Sequence, residues 1–189
     1  MANDKPTNYS DKLIPYRGKL PVCGKDIFIA PSADVIGDVT LGNNVNIWFG
    51  AAIRGDVAWI KIGDNSNVQD NATVHVTRVT GPTTIGCGVT IGHNAVIHAC
   101  TIEDNCLIGM GAIILDDAVI GEGSLIGAGA VVTPGTKIPP RSLAVGSPAK
   151  VIRTIDDKQY EKIKDNGVHY VKLAAEYIEC YAASAKNEQ

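Results

Sequence analysis

The chain has 189 residues and a formal net charge of −3, enough for one well-buried domain with a short appended element. Its Lys and Arg are scattered, and no apolar run approaches the ~20 residues that span a bilayer, so neither nucleic acid nor membrane is expected as a partner. With 45% hydrophobic but only 5% aromatic residues, and 20 glycines, the interior is expected to be narrow and aliphatic.

The start, MANDKPTNYSDK, is polar and lacks the apolar stretch of a signal peptide, which points to the cytoplasm. Residues 1–30 read as an irregular lead-in segment. The five cysteines, Cys23, Cys87, Cys100, Cys106 and Cys180, have no CxxC spacing, so neither a disulfide framework nor a thiolate zinc site is indicated. Most of them are expected to be buried as small hydrophobes.

From residue 31 onward an aliphatic residue recurs every six positions, through Val35, Leu41, Ile47 and Ile53, then Ile62, Val68 and Val74, then Ile85, Ile91 and Ile97. The longest run, Ile102, Ile108, Ile114, Ile120, Ile126, Val132 and Ile138, is unbroken. A period of six is neither that of a helix nor a simple strand alternation. It predicts a parallel β-helix in which each hexad forms a short strand and a turn, and three hexads close a triangular coil. Three interruptions break the period: extra residues at 54–61 around Trp59, extra residues at 77–84 (TRVTGPTT), and one residue lost between Ile97 and Ile102. The two insertions are expected to project as corner loops.

Pro139-Pro140 and Ser147-Pro148 mark the exit, which divides the chain into a lead-in (1–30), a β-helix domain (31–150) and a helical extension (151–189). In the extension Asp156 or Thr154 can cap a helix, Gly167 suggests a break, and Val168, Val171, Ala174, Ala175, Ile178 and Tyr181 are spaced to cover one face. The helix is expected to pack back along the solenoid.

The repeat gives meaning to the histidines, three of which lie in NVQDNATVH and GHNAVIHAC. With faces named A, B and C in turn, Ile53, Val74 and Ile97 fall on face A, Ile62 and Ile85 on B, and Val68 and Ile91 on C. His75 and His98 each follow the aliphatic residue of a face A hexad, so they occupy equivalent places on neighbouring coils about one strand spacing apart, ~4.8 Å. Two imidazoles at that separation can share a metal. Arg54 holds the same place one coil earlier. Asp70 and His93 form a second column on face C, with Gln69 beside them, and His93 cannot join the other pair within one chain. Three-fold association would bring it there by laying face A of one subunit against face C of the next. Three neutral imidazoles leave the fourth position of a tetrahedral zinc open to water, which then ionises near neutral pH. Asp70 and Gln69 are available to orient the rings. Arg54 and Asp56, in IRGD, are suited to fix a subunit junction or to orient an anion such as bicarbonate. His169, on the extension, belongs to neither column and is read as structural.

These residues resemble those of the gamma-class carbonic anhydrases and related hexapeptide proteins. The similarity runs from about residue 20 to residue 180, through IRGD, SNVQDNATVH, IGHNAVIHAC and VGSPAKVIR to the terminal helix. It implies an all-β solenoid, a left-handed parallel β-helix of hexapeptide repeats with a C-terminal α-helix packed along it. It further implies a homotrimer whose metal lies between subunits, held by His75 and His98 of one chain and His93 of the next. Arg54 and Asp56 would form an interface pair, Gln69 and Asp70 would line the site and hold the metal-bound hydroxide, and Asn67 would border the substrate pocket. Zinc is the usual metal, with iron or cobalt in some members, and the expected reaction is reversible hydration of carbon dioxide to bicarbonate. The sequence departs from the pattern at TRVTGPTT, which has no acid where the best-characterised members carry a glutamate that shuttles protons, and at Ala99, where glycine is common. Two other readings share the fold: a coenzyme A-dependent acyltransferase or thioesterase, and a non-catalytic metal-binding trimer.

Overall fold

The computed structural model describes residues 10–78 and 81–187, and the polar start read as free of a signal peptide falls largely on residues 1–9, outside them. The strands coil about seven times into a parallel solenoid closed on one side by a single C-terminal helix.

Three aliphatic ladders fill the interior. Face A stacks Leu13, Val35, Ile53, Val74, Ile97, Ile114 and Val132 in register. Face B stacks Cys23, Leu41, Ile62, Ile85, Ile102, Ile120 and Ile138, and face C stacks Ile29, Ile47, Val68, Ile91, Ile108, Ile126 and Ala144. From the second coil to the sixth, every rung is at most 2% exposed, so the face assignment made from the period holds through both insertions. Each inward residue meets its counterpart above and below, and most of the strands around it are only two or three residues long, Asp34–Leu41 and Ala52–Ile62 being longer because each runs through a corner. The triangle leaves no room for a large side chain, which accounts for the aliphatic composition.

The corners turn on residues of positive φ, among them Asn65 and Asn105 on one edge and Asn71 and Asn94 on another. Asn tolerates this conformation because its short amide bonds locally. Gly123, at φ +66, is confined further, since a Cβ there would lie 2.6 Å from the Tyr160 ring.

Several boundaries differ from the sequence reading. Residues 13–29 are already a coil, with Leu13, Val22 and Phe28 each in register with the coil after. Cys23 and Ile29 keep the step of six up to Val35, but Leu13 stands ten residues before Cys23, so the period alone does not join the first strand to this coil. The insertion at 54–61 is no separate loop. A continuous strand, Ala52–Ile62, carries faces A and B, and the extra residues swell as a bulge opposite Asp38, where the register jumps from Gly37↔Gly55 to Val39↔Ile60. In the second insertion Thr77 and Gly81 exchange paired backbone hydrogen bonds, and residues 79–80, on which the expected corner loop turns, lie outside the described residues. At the far end Lys150–Thr154 folds back as an antiparallel strand on Ser142–Val145, across the boundary drawn at residue 150.

Helix α1 spans Asp157–Asn187 without a break at Gly167. Asp156 caps it, its carboxylate accepting from the Gln159 backbone N–H at 2.7 Å. Gly167 serves close approach instead, because a Cβ there would come within 3.3 Å of the Gly88 carbonyl oxygen. The buried face also differs: Val168 and Ala175 point outward, while Ile163, Tyr170, Ala174, Tyr177 and Tyr181 face the solenoid. Tyr170 and Tyr177 pack on Trp48 at ring separations of 5.5 and 5.2 Å, and Tyr177 and Tyr181 on Phe28 at 5.5 and 6.3 Å. The few aromatic residues of the chain are concentrated here, where the helix must be held to an outer face. Among the described residues no helix is long and apolar enough to cross a membrane.

Of the cysteines only Cys100 and Cys106 are buried, while Cys87 and Cys180 are exposed. Burial pushes the thiols of Cys100 and Cys106 up to about 12 and that of Cys23 up to about 11. A thiol reagent at about pH 8 is therefore expected to label Cys87 and Cys180 first, and Cys100 and Cys106 only with unfolding. Early labelling of Cys106, read by peptide mass spectrometry, would contradict the closed corner that contains it.

Candidate metal centre

Parallel stacking brings His75 and His98 together. Each ends a face A strand, Thr73–His75 or Val96–His98, and the two residues are paired in register. Their ring centroids are 5.2 Å apart at an interplanar angle of 52°. Both side chains are partly open to solvent, 20% and 30% exposed, so a ligand can reach them.

Carboxylates bracket the pair. His75 donates from Nε2 to Asp56 Oδ1 at 3.0 Å, and Asp56 Oδ2 accepts from the Arg54 guanidinium. Burial raises the Asp56 carboxyl, but the hydrogen bonds from His75 and Arg54 and their charges outweigh it and hold the group below its ordinary value. On the other side His98 donates from Nδ1 to Asp116 Oδ1 at 2.5 Å. Asp116 was not among the residues singled out from the sequence. The signal was present, since it lies two residues beyond Ile114, the face A rung that follows Ile97.

His93 stands at the opposite edge of the same face, in the turn that leads into Val96–His98, and donates from Nδ1 to Asp70 Oδ2 at 2.8 Å. Asp70 occupies the matching turn one coil earlier. Face A thus carries two imidazoles where its strands end and one where they begin. Among the described residues, no three His, Cys, Asp or Glu side chains of one chain gather into a metal site.

Gln69 does not touch His93. Its Nε2 donates to Asn67 Oδ1 at 3.1 Å, and Asn67 Nδ2 donates to Thr90 Oγ1 at 2.9 Å. Asn67 is fully buried, one layer beneath the position expected at the edge of a substrate pocket. Gln69 lines a cavity of about 340 Å³ between face C and α1, together with Thr90, Met110, Asn166 and Tyr170. Gly92, next to His93, forms part of its wall. Burial, and behind it the Asp70 charge, push the Tyr170 phenol up, which ties the helix electrostatically to the His93 edge. Nothing in the sequence indicated Tyr170, because the docking of a helix on a solenoid has no periodic signature.

The family described as "Bacterial transferase hexapeptide (six repeats)" matches at residues 82–115 and 99–134. A carbonic anhydrase of Geobacillus kaustophilus is 44% identical over 175 residues, covering 89% of this chain and 96% of that protein. Gamma carbonic anhydrase 2, a mitochondrial protein of Arabidopsis thaliana, is 45% identical over 161 residues. The chain belongs to the gamma carbonic anhydrase family. The match covers 82% of this chain and 58% of the Arabidopsis protein's length. The solved hexapeptide transferase family protein of Anaplasma phagocytophilum superposes with a TM-score of 0.84 at 41% identity, covering 87% and 97% of the two chains.

The donor set suits a divalent metal. Three imidazoles are the ligands of an open zinc site, and each of these three already has a carboxylate on one ring nitrogen, the outer-shell arrangement that orients metal-binding histidines.

Proposed function

We propose that the protein hydrates carbon dioxide reversibly at a metal held between subunits of a homotrimer, His75 and His98 coming from one chain and His93 from the next. The observation that carries this reading is the split of the three imidazoles between opposite edges of one face, each with its own carboxylate. A closed three-fold ring lays unlike edges together once per interface and uses every half-site. Zinc fits the nitrogen set, and iron or cobalt fits it as well. Bound there, the metal supplies the Lewis acidity that ionises water near neutral pH.

The chain's own residues supply the rest. Asp56, Asp70 and Asp116 hold one nitrogen of each imidazole and leave the other for the metal. Gln69 presents its amide to the cavity and is fixed there by Asn67. The surrounding Leu107, Met110 and Ile126 give that cavity an apolar wall suited to an uncharged gas. Arg54, its side chain 46% exposed, offers a cation to a departing bicarbonate. The loop TRVTGPTT contains no carboxylate, so proton transfer to the medium falls to buffer. Turnover is expected to rise with buffer concentration at fixed pH.

The test is stopped-flow carbon dioxide hydration by protein of known metal content, loaded in turn with zinc, cobalt and anaerobic iron. Turnover proportional to metal supports the reading. Full occupancy without turnover, together with tight coenzyme A binding, would replace it with the acyltransferase activity suggested by relatives named as transferases.

A further inference from the structure

We infer that Asp116 is the positioning residue of His98: it fixes the ring in the tautomer that carries its proton on Nδ1 and so presents the Nε2 lone pair to the metal. The role in metal binding rests on the reading above, whereas the tautomer does not. Asp116 Oδ1 lies 2.5 Å from His98 Nδ1, and a carboxylate accepts only from a protonated nitrogen. Which nitrogen of a neutral imidazole carries the proton is decided by the bond the other atom of the pair makes.

The backbone delivers this carboxylate to one place. On one side, Ile114 is in register with Ile97. On the other, the Asp117 N–H donates to the Ala99 carbonyl at 2.8 Å, and the Asp116 carbonyl accepts from Gly135 at 2.8 Å. Ala99 and Asp117 both take positive φ, 46° and 60°, so the two coils turn this corner in the same way and stay stacked. Asp116 is thus pinned before, at and after its own position to the coils on either side. Its side chain and that of His98 are equally exposed, at 30% each, so the pair sits at the rim, where a second subunit would cover it.

The same corner makes the four residues Asp56, His75, His98 and Asp116 one column, with a carboxylate at each end and the imidazoles between. Asp56 is shared with Arg54, which by itself gives an acid there a partner. Asp116 comes from a coil that supplies no ligand, and the ring bond explains an acid there.

The test has two arms on the full chain. Long-range nitrogen–proton correlation of metal-free protein reads the tautomer of each ring. His98 is expected as the Nδ1–H form in the wild type and is expected to shift toward Nε2–H in Asp116→Ala. Calorimetric titration with Zn²⁺ is expected to show affinity about 10- to 100-fold weaker in Asp116→Ala, with Asp116→Glu recovering part of the loss. Asp117→Asn, next in sequence and able to keep positive φ, is expected to bind like wild type. Thermal melts confirm that each variant is folded. An unchanged His98 tautomer in Asp116→Ala, or wild-type Zn²⁺ affinity in that variant, overturns the inference. A wild type that binds no Zn²⁺ yet shows the tautomer shift leaves Asp116 as the orienting group of His98 and removes the metal reading instead.

Discussion

Neither His93→Ala nor His98→Ala protein should hydrate carbon dioxide above background, but a mixture of the two, unfolded and refolded together, should recover roughly a quarter of wild-type activity. Each half-site lies on a different edge of face A, so a chain lacking His93 still offers His75 and His98, and a chain lacking His98 still offers His93. In randomly mixed trimers a complete set forms wherever an intact pair meets an intact partner, at about one interface in four. Loss of one imidazole from a three-nitrogen site removes a ligand outright, so each single variant should fall by at least ~100-fold, comparable with the loss of an essential catalytic group. Bound metal should follow the same arithmetic. If the mixture stays inactive while sedimentation shows mixed trimers, the site is not shared in this way. Substantial activity in either variant alone would mean that the metal centre has a different ligand set.

Ile108→Ala should be the most damaging kind of conservative change, costing about 2–5 kcal/mol in denaturant unfolding. Ile108 is fully buried and lies between Ile91 and Ile126 in the face C ladder. Removing its branched end opens a cavity that the coils on either side cannot close without losing register with their own neighbours. Two residues away, Met110 is 60% exposed, and Met110→Ala should stay within about 0.5 kcal/mol of wild type. Equal costs at the two positions would show that the interior is not the stacked ladder described above.

These features differ in how plainly the sequence announces them. Residues Ile102 to Ile138 keep their period because every rung must fill the same narrow triangle, so pattern and packing are one constraint. The histidine columns inherit that clarity: once Val74 and Ile97 are stacked, His75 and His98 have no freedom to be elsewhere. The sequence conceals whatever the period does not govern. Leu13 stands ten residues before Cys23, so the first coil opens on a strand that counting in sixes does not reach. The bulge after Gly55 keeps strand pairing that an insertion seemed to forbid, since hydrogen bonding resumes at Ile60. On α1, helical periodicity allowed several faces. The choice of Tyr170 and Tyr177 over Val168 was made by Phe28 and Trp48, which lie more than a hundred residues earlier in the sequence. Asp116 was legible in principle, but only after the corner geometry of Ala99 and Asp117 was known.

A stack of coils touches only its neighbours, and such a molecule could in principle fray from either end, one rung at a time. Helix α1 changes this. Its 31 residues extend about 46 Å at ~1.5 Å per residue, more than the roughly 29 Å covered by six steps between coils. It leaves the last coils near Gly123, passes Gly88 with no side chain at Gly167, and ends its aromatic contacts on Phe28 in the first coil. Detaching any coil in the middle would strip the helix from its support, and detaching the helix would uncover Phe28 and Trp48 together. The early and late coils therefore share one fate, and a chain built of local repeats is expected to melt in a single transition.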